Sequence, residues 1–254
     1  MTTPTAGVIL IGNELLSGRT QDLNLAHIAK NLGLRGIPVV ECRVIPDDEA
    51  TIIETVNHFR QKYTFVFTTG GIGPTHDDIT TACIAKAFGV SIYRNQDVVE
   101  KFKTHYGDRA TAATYRMCDF PEGAVLIENA ATIAPGFSLG NVYVMAGIPR
   151  IMQAMLEVIL PTLPQGEPIH EVSFTAHTTE GKISAGFEQL QNQYPQLALG
   201  SYPQMIDGKP AVSLVARGLD KDALHGAAKG ISALLTQVEA IVLEAPPGWP
   251  QSLS

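Results

Sequence analysis

The residues most suited to chemistry lie in one loop, Gly70-Gly71-Ile72-Gly73-Pro74-Thr75-His76-Asp77-Asp78. Its three glycines follow an apolar run and precede a helical pattern, an arrangement that lets backbone N–H groups approach a phosphate closely. The loop is neither a GxGxxG nor a Walker A motif, because no Gly-Lys-Ser/Thr follows it. A second interpretation stays open, in which the loop is a tight strand-to-helix turn with Thr75 and Asp78 as a capping box.

Asp77 and Asp78 indicate a bound cation. Two carboxylates beside a phosphate would repel the ligand unless a cation bridges them. Hard ions such as Mg²⁺ or Mn²⁺ bind carboxylates together with phosphate oxygens, and they polarise a phosphoryl group or activate water. The alternative, in which both aspartates only interact with a helix dipole, explains one aspartate better than two.

Further candidate residues flank this loop in the chain. Glu14, at the end of the first predicted strand, is a candidate metal ligand, a base for water or an acceptor for a ribose hydroxyl, or else an exposed turn acid. Asn13 and Asn24 are ligand-orienting residues or helix caps. His76 binds a metal, shuttles protons, or does neither. The candidate phosphate-binding cations, each otherwise a solvated surface charge, are Lys101, Lys103 and Arg116.

These residues need a scaffold, and short β-rich runs alternating with helical patterns predict one with a mostly parallel sheet over the first 160 residues. The predicted strands are 8–11, 39–44, 65–68, 126–127 and 142–145. The predicted helices are 23–34, 48–60, 79–88, 96–106 and 151–160. Because ligands bind at the carboxyl ends of parallel strands, we expect loops 12–18, 70–78 and 146–149 to converge at one edge.

A second domain is predicted after the Pro-rich segment 161–168, which is typical of a linker. The pattern beyond it predicts a small α+β sandwich with strands at 171–176, 197–202, 211–216 and 240–243 and helices at 183–193 and 220–235. The expected organisation is an α/β domain over 1–164, an α+β domain over 165–245, and a disordered tail over 246–254.

Composition narrows the choice of partners. The formal charge of −7 comes without a basic run, so nucleic acid is not an expected partner. The three cysteines, Cys42, Cys83 and Cys118, form neither a CxxC pair nor a disulfide framework, which favours reduced thiols. Residues 1–5 lack a signal-peptide pattern, and no apolar run approaches the roughly 20 residues of a membrane span. We expect a cytoplasmic protein without a membrane partner.

Taken together, the motifs resemble the competence/damage-inducible protein A (CinA) family, whose N-terminal domain has the molybdopterin-binding MoaB/Mog fold. The matching segments are Gly12-Asn13-Glu14-Leu15-Leu16, Asn24, the loop from Gly70 to Thr80, Ala134-Pro135-Gly136-Phe137 and Ala146-Gly147-Ile148-Pro149. The resemblance extends to Gly200-Ser201-Tyr202-Pro203 in the second domain and so covers nearly the whole chain.

The resemblance implies a three-layer α/β domain and a metal-dependent pyrophosphatase for ADP-ribose or FAD-like dinucleotides. It implies catalytic roles for Asp77, Asp78 and Glu14, with Asp77 and Asp78 holding Mg, Mn or Co. The implied ligand-binding residues are Gly12, Asn13, Asn24, Gly70, Gly71, Gly73, Pro74, Thr75, Pro135, Gly136, Gly147 and Pro149. Relatives that bind or adenylylate molybdopterin supply one alternative, and a nucleotide sensor without turnover is another. Family habit also implies a homodimer.

Two departures from the family pattern affect these expectations. The chain stops near residue 254 without the nicotinamide-nucleotide amidase domain of longer members, so that activity is not expected. Many members have a glycine before the Ala-Pro-Gly-Phe stretch, whereas this chain has Thr132-Ile133. The second departure bears on how the ligand is placed beside this stretch.

Overall fold

The computed structural model describes residues 4–249. The chain divides into two compact units between Gly166 and Glu167, inside the Pro-rich segment 161–168. Within residues 4–249 no helix is both long enough and apolar enough to cross a membrane.

The first unit contains eight short strands and seven α-helices. Its strands are β1 (Ala6–Ile11), β2 (Val39–Ile45), β3 (Phe65–Thr69), β4 (Ile92–Arg94), β5 (Asp119–Pro121), β6 (Val125–Ile127), β7 (Gly136–Leu139) and β8 (Val142–Met145). Its helices are α1 (Asn13–Leu16), α2 (Asn24–Leu34), α3 (Glu49–Lys62), α4 (Thr80–Phe88), α5 (Gln96–Tyr106), α6 (Ala112–Arg116) and α7 (Pro149–Ile159). The chain also forms 3₁₀ turns at Gly107–Arg109 and Leu160–Thr162.

Six of these strands form one sheet in the order β2-β1-β3-β8-β7-β6, and β4 and β5 pair separately. Strands β2, β1, β3 and β8 run parallel, whereas β6 and β7 join antiparallel. The prediction of a mostly parallel sheet is therefore confirmed.

Helices cover both faces of this sheet because its central strands are apolar on both sides. In β1, Val8 and Leu10 contribute to one core and Ile9 and Ile11 to the other, since side chains alternate along a strand. Helices α2 and α7 pack on the first face, and α3, α4 and α5 pack on the second. The three-layer α/β architecture implied by the resemblance is confirmed.

Every helix and strand predicted for this unit is present, but the short elements α1, β4, β5 and α6 were not predicted, and neither was β7. It joins β8 through Gly140-Asn141, where Gly140 has a φ of 56°. That glycine allows the tight reversal, and Gly-Asn between two apolar runs is a hairpin signal. The four-residue strand was too short to show a pattern of its own.

The second unit is a four-stranded antiparallel sheet with two helices on one face. Its elements are β9 (His170–His177), α8 (Glu180–Gln193), β10 (Ala198–Ile206), β11 (Lys209–Gly218), α9 (Lys221–Gln237) and β12 (Ile241–Glu244). The strands are ordered β10-β11-β9-β12. Phe174 and Leu214 of the sheet, Ile183 of α8 and Ile231 of α9 are buried in its core. The predicted α+β pattern is confirmed.

The predicted disordered tail differs from the structure at its beginning. The indole ring of Trp249 packs edge-on against Phe174, with ring centroids 5.4 Å apart, and its Nε1 donates to Ser232 Oγ at 3.4 Å. An aromatic side chain with an apolar partner and a hydrogen bond stabilises a placed segment, which composition alone does not reveal. Residues 250–254 of the predicted tail lie outside the described residues.

Candidate functional site

A cavity of about 530 Å³ lies at the carboxyl ends of β1, β3 and β8. The three loops that follow these strands line it together, as the parallel arrangement requires. Of the predicted site residues, the cavity wall includes Gly12, Glu14, Gly70, Gly71, Gly73, Pro74, Asp77, Asp78, Gly147 and Pro149. The structure therefore brings the two predicted aspartates and Glu14 into one site with the glycine loop.

Two glycines of the loop sit where a side chain cannot fit. Gly70 has a φ of 104°, and a Cβ atom there would lie 2.1 Å from the carbonyl oxygen of Ile11. Gly71 has a φ of 69°, and its Cβ would lie 2.1 Å from the hydroxyl of Thr80. Both positions need glycine for left-handed backbone and for close packing against neighbouring chain segments. These contacts fix the loop against the end of β1 and the start of α4.

Four carboxylates line the same cavity: Glu14, Asp47, Asp77 and Asp78. Sequence reasoning missed Asp47. It follows β2, which ends at the same sheet edge, so the rule that loops gather at the carboxyl ends of strands was the signal that could have found it. Its Oδ2 accepts a hydrogen bond from the backbone N–H of Asn13 at 2.9 Å, which ties the loops after β1 and β2 together.

Asp78 organises the glycine loop from within. Its Oδ2 accepts the backbone N–H of Thr75 at 2.8 Å and also the Thr75 hydroxyl. The predicted turn contact between Thr75 and Asp78 thus exists, while both aspartates still face the cavity. The hydrogen bond from the Thr75 side chain, followed by the backbone amide of Asp77 itself, lowers the pKa of the Asp77 carboxyl. Asp77 is therefore ionised at neutral pH.

The donor set fits a hard divalent ion that also binds the ligand. Among residues 4–249, no group of three or more His, Cys, Asp or Glu side chains is close enough to enclose a metal by itself. Mg²⁺ commonly uses only one or two carboxylates and takes its other ligands from water and substrate phosphates. Asp77 and Asp78, adjacent in sequence and both on the wall, match that pattern.

The predicted cations occupy different positions. In the described part of the wall there is no Lys or Arg side chain. Arg116 donates to the carbonyl oxygen of Pro74 at 2.5 Å and so holds the loop from outside. Lys101 pairs with Glu128, and Lys103 pairs with Glu100 at 2.7 Å. None of the three predicted cations is placed to neutralise a phosphate in this cavity.

The remaining predicted side chains have other partners. Asn24 is 5% exposed, and its amide nitrogen donates to the carbonyl of Gly147 at 2.8 Å, which fixes the loop after β8. Its Oδ1 is buried without a partner in the described residues. His76 is 95% exposed and lies 3.9 Å from Asp77. Asn24 itself does not line the cavity. Its hydrogen bond positions the loop after β8, which does line it.

Two residues of the Ala-Pro-Gly-Phe stretch do not line the cavity either. Gly136 is the first residue of β7, and a Cβ there would lie 2.5 Å from the carbonyl oxygen of Val144 on the paired strand. Pro135 lines a neighbouring groove instead. In this stretch the glycine serves the close approach of two strands.

The cavity wall also has an apolar part, most of which was not predicted from the sequence. It includes Ile72, Tyr106, Met117, Ile148, Ile151 and Met155. Methionine and aromatic side chains adapt to flat rings, and most small-molecule sites combine such a surface with a few convergent polar groups. The cavity therefore offers both an apolar surface that suits a planar ring and the acids that suit a phosphate bound with a cation.

Comparison with known proteins gives two family matches. Residues 7–165 match the family described as a probable molybdopterin binding domain, and residues 168–244 match the family described as FAD synthase, middle domain. The first match contains the whole cavity.

Individual relatives agree with these matches. A protein from Archaeoglobus fulgidus is 34% identical over 229 residues, which cover 90% of this chain and 96% of the relative. A CinA-like protein from Syntrophus aciditrophicus is 38% identical over 165 residues, covering 62% of this chain and 39% of the relative. The crystal structure of CinA from Thermoplasma acidophilum, described as of unknown function, superposes with a TM-score of 0.60 at 32% identity, covering 63% of this chain and 98% of that chain.

Proposed function

The chain belongs to the family of probable molybdopterin-binding domains and has CinA-like relatives, and we propose that it is a metal-dependent pyrophosphatase for ADP-ribose or FAD-like dinucleotides. One observation carries the proposal: four carboxylates share a cavity with a glycine loop, without a Lys or Arg in the described wall. Such a wall repels a phosphate unless a cation is bound with it. The match of the second unit to FAD synthase, middle domain, supports a nucleotide ligand.

The residues of the cavity divide the reaction among them. Asp77 and Asp78 would hold Mg, Mn or Co together with the phosphates, and such an ion polarises the phosphoryl group and activates water. Backbone amides of the glycine loop donate to phosphate oxygens. Glu14 would accept a proton from the attacking water as the water oxygen bonds to one phosphorus, and the bond between that phosphorus and the bridging oxygen would break. The products would be AMP and ribose 5-phosphate from ADP-ribose, or AMP and FMN from FAD.

The apolar wall supports the choice of a nucleotide. A base or flavin ring can lie against Tyr106, Met117 and Met155, which face the same cavity as the acids. Excluding water from that side strengthens every electrostatic interaction at the phosphates. Apolar and acidic residues in the wall of one cavity thus support a ligand that has both a ring and phosphates.

The test is a hydrolysis screen. The purified chain is incubated with ADP-ribose or FAD and with Mg²⁺, Mn²⁺ or Co²⁺, and the products are identified by mass. We expect AMP from both substrates, loss of AMP on chelation, and loss in Asp78→Ala. Asp108→Ala, which removes an exposed acid outside the cavity, should retain activity. If the chain releases no more AMP than Asp78→Ala, the proposal is wrong.

A second candidate function rests on the family match of residues 7–165, whose description names molybdopterin. In that case the apolar wall holds a pterin, and the chain binds it or transfers an adenylyl group to it. Incubation with molybdopterin and ATP would give an adenylylated pterin detectable by mass. Tight nucleotide binding with no product in either assay would instead favour the sensor.

A further inference from the structure

A second, larger groove of about 850 Å³ adjoins the cavity in the first unit. It runs between α5 and the segment 128–135, and Thr132 lines both spaces. We propose that this groove is the binding site for the terminal ribose of a two-headed nucleotide whose diphosphate lies in the cavity. The inference rests on the proposed function and specifies the substrate class further.

The two spaces are continuous along the chain as well as at Thr132. On α5, Tyr106 lines the cavity, whereas the adjacent His105 lines the groove. In the facing segment, Ala134 lines the cavity, whereas Ile133 lines the groove. A ligand that leaves the cavity past Thr132 therefore enters the groove directly.

The segment between the two spaces is held in a defined shape. Asn129 Oδ1 accepts the backbone N–H groups of Ala131 and Thr132, each at 2.9 Å, and its Nδ2 donates to the carbonyl of Ala134 at 3.1 Å. Thr132 forms the junction between the two spaces, and Ile133 forms part of the groove wall.

The chemistry of the groove suits a sugar better than a phosphate. The acids of the groove are partly neutralised by two ion pairs. Lys101 pairs with Glu128, and Lys103, which lies outside the wall, pairs with Glu100. Asp97 adds a further carboxylate, so acceptors outnumber cations and an anion gains nothing here. Carboxylate oxygens accept hydrogen bonds from ribose hydroxyls.

The apolar residues of the groove complete the match. Val98 is buried beneath it, and Ile133 and Pro135 form part of its wall. The C–H face of a ribose ring can lie on such a surface while its hydroxyls reach the carboxylates. The groove of about 850 Å³ adds to the cavity of about 530 Å³, so the two spaces together have room for both halves of a dinucleotide.

The experiment compares two ligands that differ in the terminal ribose. Calorimetry measures binding of α,β-methylene ADP-ribose and α,β-methylene ADP, neither of which can be cleaved between the phosphates, to the full chain with Mg²⁺. The groove is filled by Thr104→Trp, at an exposed position of α5 that lines it. The matched control is Gln96→Trp, at an exposed position on the same helix that does not line the groove.

We expect the unchanged chain to bind the ADP-ribose analogue about tenfold more tightly than the ADP analogue. Thr104→Trp should remove this difference and leave the affinity for the ADP analogue within twofold, and Gln96→Trp should preserve both affinities. If Thr104→Trp binds the ADP-ribose analogue like the unchanged chain, or if neither analogue binds, the groove is not a ribose site. Groove-dependent binding without AMP release in the hydrolysis screen would refute the pyrophosphatase and keep the subsite.

Discussion

At the scale of single residues, the site depends on glycines whose neighbours leave no space. Gly70→Ala should destabilise the first unit by about 1–2 kcal/mol or more, because alanine at positive φ is strained and its Cβ would meet the Ile11 carbonyl. Urea denaturation measures the change. Gly33→Ala is the control: this helical glycine has nothing within 4 Å of its Cβ position, so alanine should stabilise the chain by about 0.5–1 kcal/mol. Equal effects at both positions would contradict the steric argument.

Asp48 gives a prediction about pH. Its carboxylate caps α3 by accepting the backbone N–H of Thr51 at 2.9 Å and the Thr51 hydroxyl at 2.7 Å, and these bonds lower its pKa below 3.8. The cap therefore stabilises the fold fully above the unfolded pKa and stops doing so as the pH falls through the lower, folded value. Asp48→Ala should reduce Tm at pH 7, and its difference from the unchanged chain should disappear in strong acid. A Tm difference that grows on acidification would refute this assignment.

The part of the candidate site that could be predicted from the sequence consists of residues that directly follow strands. Glu14, Asp78 and Gly147 each follow a strand that could be recognised from its apolar run. Asp47 was not predicted as a site residue. It follows β2, an edge strand with exposed Val40 and Val44, and the sequence pattern identified β2 only as a strand. Tyr106 and Met117 escaped because they reach the cavity from the ends of helices, and only tertiary packing places them there.

At the scale of elements, α6 acts on the site through one arginine. The short helix is capped by Thr111 and Thr114, and its last residue, Arg116, donates to the Pro74 carbonyl in the glycine loop. Met117, the next residue, lines the cavity. The segment that follows α5 therefore contributes Met117 to the cavity wall and holds the glycine loop through Arg116.

Removing the hydrogen bond from Arg116 to the Pro74 carbonyl should affect substrate binding more than folding. We expect Arg116→Ala to raise KM several-fold for the substrate of the hydrolysis screen, while Tm changes little, because the side chain is exposed. Arg109→Ala serves as the control, since Arg109 donates only to the carbonyls of His105 and Tyr106 at the end of α5. Equal KM values for the two variants would show that the contact with Pro74 has no functional role.

The elements themselves were largely predictable, because α2, α5 and α9 repeat apolar residues at helical spacing and β1 and β3 are continuous apolar runs. The small pair β4–β5 and α6 could not be predicted. Ile92–Arg94 and Asp119–Pro121 have three residues each, too few for a period, and Arg94 pairs with Asp119, which lies 25 positions further along the chain. Such pairs are determined by tertiary contacts and not by local sequence.

At the scale of the molecule, the described residues form three hydrophobic cores, two on the faces of the first unit's sheet and one in the second unit. The core of the second unit draws its buried residues from positions 174–235, and Trp249 packs against it. The fragment 167–254 should therefore fold by itself, with a cooperative thermal transition by circular dichroism. Leu214→Asp, which places a charge in this core, is the control that should abolish the transition. A fragment without a transition would show that its core needs the rest of the chain.

If the proposed function is correct, the absence of a basic side chain in the described cavity wall would make binding of nucleotide and of divalent ion mutually dependent. If the ion raises nucleotide affinity by a given factor, thermodynamic linkage requires the nucleotide to raise ion affinity by the same factor. We expect the apparent Kd for a methylene nucleotide to fall as free Mg²⁺ rises, until the ion saturates. Occupancy of the site would then report the product of two concentrations, so that a cell could silence this protein by changing either one.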